Sequence, residues 1–309
     1  MNLETHFQVR INSIYPAHPT SFDLFVYVNQ KLILYLRAGD KLTQEKISQL
    51  DQKNGVFFVK EEERLKFKEY IAQQINDPTL TPLEKAVILR ESSYTLVAEL
   101  YEHPDVNKAL DNAKGIVNQF VEFMDQSATG ISHLISLSGH DFYTYNHSLD
   151  VGIYSLGLGK LIGFKKEEIL ELGEGALFHD IGKRFVSPEI ICKKGPLNEM
   201  EWAQMQKHPV FGLKILNDHN KTSEAIKACC FEHHENYGSG NGYPQQLKGE
   251  EIHPFARIIA LTDTFDAMTT QRSYNVPKTP KQALDFMNDK IKERYDPEML
   301  KAFYSVLGE

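Results

Sequence analysis

No stretch of this chain approaches the ~18 consecutive apolar residues that a membrane-spanning helix needs, so no membrane role is expected. Cysteine is scarce: three in 309 residues, and two of them, Cys229 and Cys230, are adjacent. An odd count with neighbours that rarely close a disulfide argues against an oxidised scaffold and for a reducing compartment. The opening residues Met1-Asn2-Leu3-Glu4-Thr5-His6 lack the basic and apolar regions of a secretory signal. Together these absences give a cytoplasmic expectation. Positive charge is also short: 34 Lys and Arg against 42 Asp and Glu leave a net charge of −8, which argues against a broad nucleic-acid-polymer surface. A small anionic substrate remains compatible, because metals and a few local cations can reverse the field inside one pocket. Composition is otherwise ordinary, and the length suffices for two cores.

Residues 1–76 read as a small α+β unit of sensory or interaction type. Phe22, Leu24, Val26 and Val28 alternate, and Leu32, Leu34 and Leu36 do the same beyond Asn29-Gln30, predicting two strands around a tight connection. A short helix is expected from Thr43 to Leu50, a strand over Val56–Val59 after the Asn54-Gly55 turn, and a charged helix from Glu61 to Ile75. Residues 77–128 form a linker and connecting helices. The segment Asn76-Asp77-Pro78-Thr79-Leu80-Thr81-Pro82 carries the linker composition, and Ile116, Phe120 and Phe123 make a helical stripe. Such a stripe suits a core; if the domains sit apart, it suits pairing with a second copy of the chain. Residues 129–309 read as helix throughout, giving an all-α domain.

Chemistry concentrates in that second part. His179-Asp180 closes the apolar segment Leu170–Phe178, and burying an imidazole beside a carboxylate is costly unless they are paired or hold a metal. His147 lies early in a helical pattern. His208 precedes Pro209 at a helix start, where proline is tolerated. His233-His234-Glu235 closes a helix, and adjacent helical residues point ~100° apart, so both rings can serve one metal only from a helix end or distorted turn. Asp263 sits in an apolar helix. Five imidazoles and two carboxylates without a cysteine ligand suit first-row divalent metals, and a carboxylate can bridge two of them.

The order of motifs resembles the HD-GYP family within the HD superfamily of metal-dependent phosphohydrolases. The likeness runs through His179-Asp180-Ile181-Gly182-Lys183, Lys194-Gly195-Pro196-Leu197, Glu201-Trp202, His208-Pro209 and His233-His234-Glu235. It continues through Gly242-Tyr243-Pro244, Leu247-Lys248-Gly249-Glu250, Ala256-Arg257-Ile258, Asp263-Thr264-Phe265-Asp266-Ala267-Met268-Thr269, Arg272 and Tyr295-Asp296-Pro297. The resemblance implies an all-helical HD-type domain that hydrolyses cyclic di-GMP in bacterial second-messenger signalling. It implies one metal held by His147, His179, Asp180 and Asp263, and another by Asp180, His208, His233 and His234, with Asp180 as bridge. A hydroxide held between the ions would attack phosphorus in line. Lys183 would steady a phosphate oxygen, and Arg272 and Tyr243 would contact substrate. Iron stands first among the metals, with manganese or another first-row ion also suited.

The chain departs from the family pattern in its substrate-presenting segments. After His-His-Glu the loop Asn236-Tyr237-Gly238-Ser239 is one residue longer, with Ser239 or Gly238 where an Asp is usual. Its glycines make a permissive, mobile loop the expectation. Ser273 and Asn275 replace a proline and a basic residue after Arg272, and Tyr143 stands where some members carry a third-metal Glu. These changes spare every expected metal ligand. Two alternatives follow: a weakly active or inactive member that signals by contact, for example through the Gly-Tyr-Pro loop to a GGDEF-type cyclase, and an HD phosphohydrolase for another nucleotide.

Overall fold

The computed structural model describes residues 5–307 apart from 17, 54, 103–105, 128, 139–143, 219–221 and 271–275. It divides into two compact units, one from residues 1–96 with 122–136, the other from residues 97–121 with 137–309. Among the described residues no helix is long and apolar enough to cross a membrane.

The first unit holds a four-stranded antiparallel sheet, β1 (His6–Val9), β2 (Leu24–Val28), β3 (Lys31–Leu36) and β4 (Val56–Lys60), in the order β1-β4-β2-β3. Asn29 and Gln30 both take positive φ (48° and 62°), the handedness that matches a tight hairpin to the strand twist. Thr43 caps α1 (Gln44–Gln52) by accepting from Lys46 N. Helix α2 (Arg64–Asn76) covers the sheet, with Phe67 packed edge-on against Phe7 and Phe22 at 5.6 and 5.3 Å. Strand β1 is an addition to the expected elements. Its four residues contribute only Phe7 and Val9 to the core, too short a pattern to stand out.

Helices α3 (Pro82–Glu102) and α4 (Val106–Gln126) contribute residues to both units, and Ile116, Phe120 and Phe123 are all buried. After α5 (Gly130–Ser136), the second unit continues with α6 (Thr144–Leu161), α7 (Lys166–Phe178), α8 (Pro188–Ile191), α9 (Glu199–Met205), α10 (His208–Asn217) and α11 (Glu224–Glu232). It ends with α12 (Pro254–Thr269), α13 (Pro280–Lys290) and α14 (Pro297–Leu307). No strand occurs there among the described residues, so the fold class is the expected one: a helical domain preceded by a small α+β domain.

Local sequence explains where these helices start. Asn198 and Thr279 open α9 and α13 with reciprocal capping boxes to Glu201 and Gln282, and proline occupies the first turn of α8, α10, α12 and α13. Helix α7 packs on α6 and α11, and α12 packs on α6 and α11 in turn. Fully buried side chains such as Phe178, Ile258 and Phe265 fill this core, each contributing about 1.5–3 kcal/mol by leaving water. Tyr101 ties α6 to α7: its hydroxyl donates to Leu177 O at 3.2 Å and lies 2.7 Å from Ser148 Oγ. Ser148 follows His147 and Leu177 lies two residues before His179, so one side chain fixes both flanks of the site.

Candidate metal centre

Five helices deliver the seven sequence-predicted ligands, mostly at helix ends. His147 sits in the first turn of α6, and Asp263 sits within α12. Helix α7 stops at Phe178; His179 keeps helical torsions and Asp180 breaks away at φ −101°, ψ 7°, into a 3-10 turn over Ile181–Phe185. His208 opens α10, and α11 stops at Glu232, with His233 as its C-cap. The adjacent rings of His233 and His234 lie with centroids 4.1 Å apart and planes inclined by 44°, an arrangement possible because the helix ends there.

Two groups of candidate ligand atoms result. Asp180, His208, His233 and His234 form one; His147, His179 and Asp263 form the other, and within each group the atoms lie within 4.8 Å of one another. Asp180 divides its oxygens between them. Oδ2 lies 3.3 Å from His179 Nε2 and 3.7 Å from His147 Nε2. Oδ1 lies 3.3 Å from His208 Nε2 and 3.8 Å from His233 Nε2. His147 Nε2 also stands 3.1 Å from Asp263 Oδ1. His179, Asp180, His208 and His233 are buried, while His234 and Asp263 keep partial exposure on the open side.

The tautomers follow from what lies behind the rings. Nδ1 of His179 faces Ala176 O at 2.7 Å, that of His208 faces Met205 O at 2.8 Å, and that of His233 faces Cys230 O at 2.9 Å. A carbonyl only accepts, so each Nδ1 carries the proton and each Nε2 offers a lone pair inward. His147 Nδ1 instead meets Asp266 Oδ2 at 2.6 Å, and Thr270 Oγ1 donates to the other oxygen of Asp266 at 3.0 Å. Asp266 is thus a site residue that the sequence reading did not separate from its run. Its signal was an acid one helical turn beyond Asp263, buried with no exposure at all.

These residues fit a metal. His179 Nε2 and Asp180 Oδ1 are buried without a hydrogen-bond partner, and the Nε2 atoms of His208 and His233 face each other at 3.3 Å. Lone pairs directed at one another are unfavourable unless a cation lies between them. Imidazole and carboxylate without thiolate is the donor set of first-row divalent ions.

Charge in the cluster is correspondingly displaced. Burial works against ionisation of Asp180, yet the Lys183 ammonium and His179 hold its carboxyl well below the usual range. Burial likewise opposes a charged His147, but Asp263 and Asp266 outweigh it and push the imidazole up to about 9. Burial pushes His208 down to about 4 and His234 to about 3, so both stay neutral, as ligation requires.

The remaining sequence-predicted residues divide. Lys183 Nζ donates to Asp180 Oδ2 and is itself part-exposed at the rim. Tyr243 stacks on His234 with ring centroids 4.7 Å apart and planes 27° from parallel. Burial, with Asp263 and Asp180 nearby, raises its hydroxyl, which stays a proton donor. Arg272, Ser273, Asn275 and Tyr143 lie outside the described residues.

Several motif residues support the centre without touching it. Glu235 is buried, and its carboxylate accepts from the backbone N–H of Gln245, Gln246 and Leu247 at 2.6, 3.1 and 3.0 Å, closing the Gly-Tyr-Pro loop. A side chain at Gly242 would meet Glu235 Cα at 2.4 Å and His234 O at 2.6 Å, so only glycine fits. Arg257 binds Ile252 O, Glu250 and Asp296 at 2.7, 2.7 and 3.3 Å. The longer loop is tied down rather than loose: Tyr237 N and Gly238 N donate to Arg294 O and Glu293 O at 3.1 and 2.7 Å, and Ser239 Oγ donates to Asn241 Oδ1 at 2.5 Å. A cavity of about 670 Å³ lined by Tyr237, Tyr295, Leu300 and Tyr304 includes none of the candidate ligands.

A helical domain that gathers histidines and aspartates from five helices defines a class, and its sequence agrees. The chain belongs to the HD domain family, which matches residues 131–299, more than half of its length. It is similar to a Pseudomonas aeruginosa protein named a cyclic di-GMP phosphodiesterase, with 28% identity over 228 residues, 73% of this chain and 55% of that one. It is also similar to a Vibrio cholerae protein named 3'3'-cGAMP-specific phosphodiesterase 2, with 30% identity over 187 residues, 60% of this chain and 36% of that one. The chain thus spans between about a third and just over half the length of these curated relatives. Among solved structures, Bd1817, an HDG"Y"P protein from Bdellovibrio bacteriovorus, aligns at a TM-score of 0.78 and 21% identity, covering 98% of this chain and all of that one. That likeness shows a shared fold.

Proposed function

We propose that this chain is a phosphodiesterase for a cyclic dinucleotide, cyclic di-GMP first, acting at a two-metal site in bacterial second-messenger signalling. The observation that carries the reading is the division of Asp180: one oxygen faces His147 and His179, the other faces His208 and His233, as a bridge between two ions requires. Asp263 would complete the first set and His234 the second. When bound, two divalent ions supply Lewis acidity and an activated water for attack on phosphorus; iron or manganese suits the donors.

The protein's own groups do the rest. Backbone carbonyls and Asp266 fix the imidazoles before any ligand arrives, which keeps reorganisation small. Lys183 presents an ammonium at the rim, able to meet a non-bridging phosphate oxygen as charge builds there. Tyr243, held protonated beside the cluster, is placed to donate a hydrogen bond to substrate. The names of the relatives favour cyclic dinucleotides over other nucleotides.

The test is hydrolysis by purified protein loaded with manganese or iron, offered cyclic di-GMP and 3'3'-cGAMP in parallel, with products resolved by chromatography. Linear dinucleotide or mononucleotide is expected from at least one substrate, and none from His179→Ala or Asp180→Ala. No product from either substrate under any metal refutes the activity. Hydrolysis that survives both substitutions refutes the site.

A further inference from the structure

The candidate centre continues outward through a line of rings. Tyr243 stacks on His234, and Trp202 meets Tyr243 with centroids 6.1 Å apart and planes at 80°. Trp202 is the only tryptophan in the chain, and 47% of its surface is exposed, although leaving so large an apolar ring in water forgoes its burial. Its backbone is nevertheless firmly set. Asn198 and Glu201 form a capping box at the start of α9, and Lys193 Nζ pairs with Glu201 at 2.5 Å. A fixed, half-exposed indole two ring contacts from a candidate metal ligand is a preorganised stacking surface.

We infer that Trp202 is a stacking platform for one base of the substrate. The inference rests on the phosphodiesterase reading above and deepens it. Every base has a π face, and stacking on an aromatic side chain contributes enough that its removal weakens binding about 5- to 150-fold. A platform at this place would hold one base of a cyclic dinucleotide while its phosphodiester lies against the cluster. Trp202 touches no reacting atom, so its loss should appear in KM and leave kcat nearly unchanged.

The single indole supplies its own readout. A hydrolysis-resistant phosphorothioate analogue of cyclic di-GMP is titrated into the metal-loaded full chain, with tryptophan emission and calorimetry recorded together. Saturable quenching that tracks the calorimetric isotherm is expected. Trp202→Ala should bind the analogue at least about fivefold more weakly, and Trp202→Phe, which keeps a π face, within about threefold of the original. Metal content and melting temperature, measured for both variants, should match the unmodified chain. Calorimetric binding without a change in emission overturns the platform, as does a Trp202→Ala affinity equal to the original; in either case hydrolysis by the unmodified chain leaves the phosphodiesterase reading standing. A chain that neither binds the analogue nor hydrolyses cyclic dinucleotides sinks that reading and the platform with it.

Discussion

Gly182 gives the sharpest structural test of how the centre is assembled. It lies in the 3-10 turn that carries Asp180 away from α7, and that turn packs directly on α10. A methyl group at Gly182 would fall 1.8 Å from His208 O and 2.5 Å from Gly212 N. Both obstacles are backbone atoms, so no side-chain rotation relieves the clash. Overpacking of this kind costs about 1–3 kcal/mol and sometimes more, and a contact so short belongs at the upper end. At about 2–4 °C per kcal/mol for a domain of this size, Gly182→Ala should lower the melting temperature by roughly 6–12 °C. Separating the turn from α10 also moves Asp180 away from His208, so bound metal should fall with stability. Gly115 is the control: it lies within α4, where an added methyl would meet nothing within 4 Å, and Gly115→Ala should be neutral or stabilising by up to about 1 kcal/mol. The assay is thermal denaturation by circular dichroism with metal content by mass spectrometry. A Gly182→Ala protein that melts with the original and keeps its metal refutes the proposed packing.

Three further outcomes follow from the same geometry. Asp266→Asn should weaken metal retention roughly 10–100-fold, chiefly at the His147, His179 and Asp263 group, because an amide facing His147 no longer fixes its tautomer; competition with a graded chelator measures this, and unchanged retention would count against it. Glu235→Ala removes the acceptor of three amides, so hydrogen exchange at Gln245, Gln246 and Leu247 should accelerate while the helices keep their protection. Burial pushes Glu174 up to about 7, with Lys114 opposing and Glu171 adding. Its folded pKa lies above the unfolded value of 4.5, so its contribution is fully present below that pH and is lost as pH rises towards 7. Glu174→Gln should therefore stabilise the protein at pH 8 and not at pH 4, by less than about 3 kcal/mol once solvent screening is allowed for, as paired melts at the two pH values would show.

What was legible in the sequence was the conflict between polar residues and apolar surroundings. His179-Asp180 after Leu170–Phe178, and Asp263 inside α12, stand out because burial makes them expensive. The same logic reached His208 and the His233-His234 doublet through helix ends, and the structure brings all seven candidate ligands together. Asp266 was harder to separate, since an acid one turn beyond Asp263 reads as part of the same anomaly; only the position of His147, 119 residues away in sequence, gives it a partner. Glu235 and Arg257 stood within motifs, but motif membership does not distinguish a ligand from a side chain that holds a loop. Glu235 accepts from backbone amides 10–12 residues on, and Arg257 joins a carbonyl to the carboxylates of Glu250 and Asp296, pairings that residue type alone does not reveal. Strand β1 was missed because two inward side chains make no measurable period.

The supporting residues have a common physical reason. Among the described residues the centre gathers five imidazoles and two carboxylates, four of them no more than 1% exposed, and lone pairs that face one another. Left to itself, such a cluster favours rearrangement, with one histidine or another rotating outward. Each rearrangement is opposed from behind the ligand rather than at the ligand. Carbonyls of Ala176, Met205 and Cys230 anchor three rings, Asp266 with Thr270 anchors a fourth, and Tyr243, held by the Glu235 loop, covers a fifth. The anchors act on Nδ1 or on the ring face, which leaves Nε2 of the four anchored rings pointing into the site. An arrangement that is unfavourable when empty is thereby kept ready for cations, and the motif residues outside the ligand set are what keep it so.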